Sequence, residues 1–203
     1  MSVLTTPLPP QAALTSIPVW RMSVDTYHAM IDVARLTSDD PVELVEGVLV
    51  YKMPKKAAHR ICNDRLDESI RPLLPAGWSR QLQEPITLSD SEPEPDLTIY
   101  RGRSSDYPDG HPGPPDVALV VEVSDTTLRL DRDAKFRAYA RAGIAVYWIV
   151  DLVGRTIDVH STPEPAAVEP GYRHTVSYVH GQRVPVTVAG QTVGEVAVED
   201  ILP

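Results

Sequence analysis

The sequence predicts an α/β fold, on three observations. Val117 to Val123 (VALVVEV) and Ala145 to Asp151 (AVYWIVD) are nearly continuous apolar runs of strand length, the pattern of central strands covered on both faces. Between them, Asp131 to Ala142 (DRDAKFRAYARA) is acidic in its first turn and closed by Gly143, as expected of a helix. Strand-like and helix-like segments alternate elsewhere without an internal repeat, so one α/β domain over residues 23–203 is expected after a flexible N-terminal arm over residues 1–22.

The remaining elements follow in order. Ser23 is a natural N-cap for a helix reaching Thr37, with Val24, Tyr27, Ile31 and Ala34 along one face, and Pro41 ends that region. Glu43 to Lys52 (ELVEGVLVYK) alternates around Gly47, the pattern of a hairpin or a bulged strand pair. A second helix spans Ala57 to Leu74, with Ile61, Leu66, Ile70 and Leu73 as its apolar stripe, before Pro75 and Gly77 close it. Short strands are expected at Trp78 to Leu82, Pro85 to Leu88 and Leu97 to Tyr100, followed by a proline-rich loop from Gly102 to Asp116. Arg155 to His160, Tyr172 to Val179 and Val184 to Val188 read as additional C-terminal antiparallel strands.

Composition excludes several function classes. The chain has 203 residues, 42% of them hydrophobic, enough for a sizeable core. It carries 19 Lys and Arg against 28 Asp and Glu, a net charge of −9, so it lacks the basic surface of a general nucleic-acid binder, and any contact with a polyanion must be local and metal-assisted. A single cysteine, Cys62, rules out an internal disulfide framework and a Cys-rich zinc site, and suits a reducing cytoplasm. His28, His111, His160, His174 and His180 show no metal-ligand spacing. With no long apolar run and no basic-then-apolar start, a cytoplasmic protein without membrane association is expected.

The chemistry gathers around Glu122. A carboxylate at the end of a buried strand costs several kcal/mol unless it is paired or binds a metal. Asp96, placed after Pro95 at the start of a strand, supplies a second carboxylate through a loop long enough to set the two strands side by side. Two carboxylates with the backbone carbonyl of Val123 make a hard oxygen site suited to Mg²⁺, with Mn²⁺ as a substitute. Lys135, one turn inside the following helix, can reach back to supply a cation. Simpler roles compete: a turn for Asp96, a salt bridge from Glu122 to Arg129 or Arg132, and a surface i,i+4 pair of Lys135 with Asp131.

Pro95-Asp96, Glu122-Val123-Ser124, Asp131-Arg132-Asp133-Ala134-Lys135, then Tyr139 to Ile144 and Tyr147 to Asp151 together resemble the Uma-type restriction-endonuclease family of the PD-(D/E)XK nuclease superfamily. The resemblance runs from Ser23 to the C-terminus and is most specific from Asp116 to Asp151. It implies a restriction-endonuclease-like core: a mixed central sheet flanked by helices, with the extra antiparallel strands at the C-terminal end. It further implies a Mg²⁺-dependent nuclease hydrolysing DNA phosphodiesters, a homodimer, without an organic cofactor. In the superfamily the lysine commonly lies two residues after the glutamate, where this chain has Ser124; Lys135 matches a lysine displaced onto the next helix. By resemblance, Asp96 and Glu122 are metal ligands joined by Val123, Lys135 is catalytic, Glu46 matches an upstream acidic position as a further ligand or base, and His59 matches an accessory histidine. Two other classes remain open on the sequence: a catalytically silent nuclease-fold binding or assembly module, favoured by the acidity and the displaced lysine, and a metal-free hydrolase using Glu122 and Asp96 as an acid/base pair.

Overall fold

The computed structural model describes residues 19–37, 39–108 and 110–203, so most of the arm expected over residues 1–22 lies outside the described residues. Helix α1 (Val24–Asp32) starts where Ser23 Oγ accepts a hydrogen bond from the Thr26 N–H at 3.2 Å. It stops short of Thr37 because the backbone turns left-handed at Ala34, with φ at 53°, and only Val24 and Tyr27 of its expected face are buried. Strands β1 (Val42–Val45) and β2 (Val48–Tyr51) form a tight antiparallel hairpin with Val45 opposite Val48. Both turn residues are left-handed, Glu46 at φ 49° and Gly47 at φ 72°, and a side chain at Gly47 would collide with Arg21.

Helix α2 (Ala57–Ile70) buries Cys62, Asn63, Leu66 and Ile70. Ile61, expected in the buried stripe, is 40% exposed, and the helix packs through a face rotated toward Cys62 and Asn63. The rotation has a polar cause: His59 and Asn63, one turn apart, are both drawn inward by Asp96.

The central sheet is mixed and six-stranded, in the spatial order β3 (Trp78–Gln81), β4 (Leu97–Arg101), β5 (Val117–Ser124), β6 (Val146–Asp151), β7 (Thr156–Glu164) and β8 (Gly171–Tyr178). Every neighbouring pair is antiparallel except β5 and β6, which are parallel. A parallel pair needs a crossover, and here it is one helical run: α3 (Leu128–Leu130), a π-helical turn (Asp131–Lys135) and α4 (Phe136–Arg141). Pro85 to Leu88, expected as a strand, is irregular chain, although Ile86 and Leu88 are buried. Beyond the sheet, β9 (Arg183–Val188) and β10 (Gln191–Ala197) pair into an antiparallel ribbon, followed by α5 (Val198–Ile201).

Every residue of β5 is buried because both of its faces are covered. On one face Val121, Val123 and Trp148 pack with Leu66 and Ile70 of α2 and with Val184 and Val186 of the ribbon. On the other, Val120, Tyr147 and Ile149 pack with Ala138 and Tyr139 of α4. Neighbours in sequence, Tyr147 and Trp148 therefore serve opposite layers. Among the described residues no helix is long and apolar enough to cross a membrane.

His160 on β7 lies in the α4 layer, 5.0 Å from the Phe136 ring, with Nδ1 2.8 Å from Thr175 Oγ1. Burial pushes its imidazole down from 6.5 to about 4. The unfolded chain thus takes up a proton as pH falls below 6.5 while the fold refuses it until about pH 4, so stability is lost across that window. The group's share is on the order of 3 kcal/mol. Urea midpoints at pH 7 and pH 4.5 are expected to converge in His160→Phe relative to wild type. The helix register gives a second expectation: Leu66→Ala costs about 2–5 kcal/mol of unfolding free energy, whereas Ile61→Ala stays within about 0.5 kcal/mol. Equal losses would mean the α2 face is misassigned.

Candidate active site

Antiparallel pairing places Leu97 opposite Val121, so the residue before β4, Asp96, falls beside Glu122 near the end of β5. Asp96 is 5% exposed and hydrogen-bonded through both oxygens. Its Oδ1 lies 2.8 Å from His59 Nε2 and accepts from Asn63 Nδ2 at 2.9 Å, and its Oδ2 accepts from the Val123 backbone N–H at 2.8 Å. Burial alone would raise this carboxyl, but His59, the Val123 N–H and Asn63 outweigh it and hold Asp96 below the usual aspartate range.

Glu122 points to the other layer, beneath the crossover. Its Oε1 accepts from Lys135 Nζ at 2.9 Å and from the Tyr139 hydroxyl at 2.7 Å. Lys135 also reaches Glu43 Oε1 on β1 at 3.0 Å, and Glu43 Oε2 accepts from the Glu94 backbone N–H at 2.9 Å. The ammonium is thus clamped between two carboxylates from separate strands. It sits in the π turn, where one extra residue per turn widens the helix, a distortion that concentrates at functional sites. Asp131, at the start of that turn, accepts from Ser124 Oγ at 2.6 Å and Thr127 Oγ1 at 2.7 Å.

The charge balance here is negative. Burial would lower Lys135, yet Glu122, Glu43 and Asp131 overcome it and keep the ammonium protonated well beyond its ordinary range. Burial, with Asp131, Asp96 and Glu43, pushes the Glu122 carboxyl well up against the pull of Lys135. One ammonium for this many carboxylates leaves negative charge that a divalent cation would compensate. Among the described residues no three His, Cys, Asp or Glu side chains converge to cage a metal by themselves. The donors at hand are Asp96, Glu122 and a backbone carbonyl. The Ser124 carbonyl accepts from Leu152 on the β6 side, so alternation along β5 turns that of Val123 toward β4 and Asp96. Two carboxylates and a carbonyl completed by water fit Mg²⁺, which keeps several waters, better than a closed zinc site.

The structure therefore brings together Asp96, Glu122, Val123, Lys135 and His59. It does not bring Glu46 to them. Glu46 lies in the hairpin turn and is clamped by Arg137 Nη2 at 2.7 Å and Arg141 Nη2 at 2.8 Å, which pin the hairpin to the outer side of α4. The upstream carboxylate that reaches the site is Glu43, three positions earlier on β1, a strand buried on both faces from Glu43 to Val45. The simpler roles also resolve: Arg132 bonds Asp151 and Asp158 instead of Glu122, and Asp131 bonds Ser124 and Thr127 while Lys135 turns inward.

Comparison with known proteins gives a consistent result. A family model, Uma2, described as "Putative restriction endonuclease", matches residues 24–189. Among solved structures, a "putative nuclease belonging to DUF820" from Anabaena variabilis ATCC 29413 is similar at 15% identity, with 85% of this chain and 96% of that chain covered and a TM-score of 0.59. No curated protein matches.

Lys135→Ala strands Glu122 and Glu43 without their shared cation and is expected to cost about 3–5 kcal/mol in urea unfolding at pH 7. Glu46→Gln, which touches only the more exposed arginine clamp, is expected to cost less than half as much. A Lys135→Ala protein as stable as wild type would mean the clamp is not formed.

Proposed function

The chain belongs to the Uma2 family, and from that premise we propose that it is a divalent-metal-dependent endonuclease hydrolysing DNA phosphodiester bonds. The observation that carries this reading is that Asp96, Glu122 and Lys135 line one cleft at the end of β5, with both carboxylates buried and the lysine ammonium held between Glu43 and Glu122. Asp96 and Glu122, with the Val123 carbonyl, would hold Mg²⁺, or Mn²⁺ in its place. Such an ion supplies a water of lowered pKa and positive charge at the phosphoryl oxygens.

The protein's own groups do the positioning. His59 and Asn63 fix the Asp96 carboxylate through Oδ1, and the Val123 N–H fixes Oδ2, so its charge is present without reorganisation. Lys135, kept protonated, serves as an electrostatic donor toward charge developing on phosphoryl oxygens and not as a base. Glu43 and Tyr139 hold Lys135 and Glu122 in register.

Calorimetric titration of Mn²⁺ into wild type and Asp96→Asn, followed by cleavage of end-labelled DNA in Mg²⁺ and in EDTA, tests the reading. Expected are saturable binding to wild type alone, cleavage that requires the ion, and at least a ~100-fold rate loss in Asp96→Asn, Glu122→Gln and Lys135→Ala, with circular dichroism checking the fold. Cleavage that persists in EDTA would sink the metal-dependent mechanism. A chain that neither binds the ion nor cuts would be a silent binding module.

A further inference from the structure

The cleft over the carboxylates has one wall that the reaction does not use. It is the strap joining β2 to α2, Tyr51-Lys52-Met53-Pro54-Lys55-Lys56, and all six of its residues line the cleft together with Asp96, Glu122 and Lys135. Resting on the nuclease reading above, we propose that this strap tracks an unpaired nucleic-acid strand, with Lys55 and Lys56 on phosphates flanking the scissile one and Tyr51 stacking on a base.

The strap's exposure is unusual for its residue types. Tyr51 is 73% and Met53 52% exposed on the cleft rim, although both are large and apolar and the chain has cores that could take them. Lysines alternate with them. Lys52 is committed to Glu94 at 2.8 Å, and Lys56 reaches Asp125 across the cleft mouth at 2.9 Å while 63% exposed. Lys55 has no partner closer than Asp96 Oδ1 at 4.0 Å among the described residues. Pro54 and the bond from the Lys52 N–H to the Pro41 carbonyl at 2.7 Å stiffen the strap, so little order has to be imposed on binding. An aromatic face beside cations along a groove is how single strands are held without sequence readout, because every base has a π face and every nucleotide a phosphate.

Charge decides against a duplex. Neutralising the phosphates of two strands needs a broad basic surface, and this chain carries −9 overall. Lys135 is buried at the floor of the cleft, so the lysines of the cleft that reach solvent are the three of the strap, and Glu43, Glu94, Asp125 and Asp131 add negative charge to the rest of the lining. A strip of cations one strand wide suits one backbone, and bases stacked in a duplex offer no face to Tyr51.

The test is fluorescence anisotropy with a labelled 12-nucleotide DNA strand and with its duplex, in Ca²⁺, paired with Mg²⁺-dependent cleavage of both. Expected is at least tenfold tighter binding of the single strand. Lys55→Ala with Lys56→Ala should weaken it and reduce the slope of log affinity against log salt by about 1.4. Tyr51→Ala should weaken it several-fold, with Tyr51→Phe restoring affinity. Arg183→Ala, which removes an exposed positive charge on β9, is the control for net charge and should leave affinity unchanged. Duplex binding equal to or tighter than the single strand, or Tyr51→Ala behaving as wild type, overturns the strap assignment, and so does Arg183→Ala weakening binding as much as the strap lysines. If duplex is then cut in Mg²⁺, the nuclease reading survives that result; if neither form is bound or cut, both fall.

Discussion

The shared ammonium of Lys135 is the constraint on which the rest of the architecture depends. Glu43 and Glu122 come from different sheets, and neither could be buried near the other without a cation between them. The lysine thereby joins three pieces: the β1–β2 hairpin, the end of β5 and the crossover helix. Its site in a π turn follows from the same need, because the helix must aim a long side chain down onto the strand it has just left. Arg137 and Arg141, further along the helical run, repeat the linkage outside by holding Glu46 and Asp90. Helix and hairpin are thus joined by an inner dry ion cluster and an outer wet one, of which the inner carries the larger energies.

Much of the fold was legible because it rests on patterns with one physical meaning. The all-buried run of β5, the acidic start of the crossover helix, its closure at Gly143 and the apolar run of β6 could hardly be arranged otherwise than as strand, crossover and parallel strand. The C-terminal antiparallel strands were legible in the segments after Asp151, and the mixed character of the sheet followed from the resemblance. Pro85 to Leu88 misled because its apolar residues plug the α4 layer from irregular chain, where burial does not require a ladder. Gln191 to Ala197 escaped because Thr192 and Gly194 break its alternation at a bulge, where Gly194 makes room for Leu73.

The site was partly legible for a similar reason. Asp96 and Glu122 stand out as carboxylates where the local pattern is apolar or proline-fixed, and Lys135 as a cation at helical reach of one of them. Glu43 does not stand out, because in sequence it is one of several acids in a hairpin and Glu46 has an equal claim. What separates them is position in the hairpin: Glu43 lies within β1, which is buried on both faces there, while Glu46 occupies the left-handed turn and meets Arg137 and Arg141 on the outer side of α4. Ile61 failed for a comparable reason, since the face of α2 is set by the polar residues His59 and Asn63 that anchor Asp96, and hydrophobic periodicity does not register them.

The separation of the site's parts along the chain has a consequence for when the molecule becomes competent. Asp96 takes partners 37 and 33 residues upstream and 27 downstream, while the Glu43 to Lys135 contact closes a loop that contains β3, β4 and β5, half of the central sheet. Contacts this distant form late, after loop entropy has been spent on assembling β4, β5 and the crossover. A partly made or partly folded chain therefore presents carboxylates without their cation and has no centre at all. The ion cluster and the fold are therefore completed together, and neither half of the chain can hold these carboxylates buried by itself.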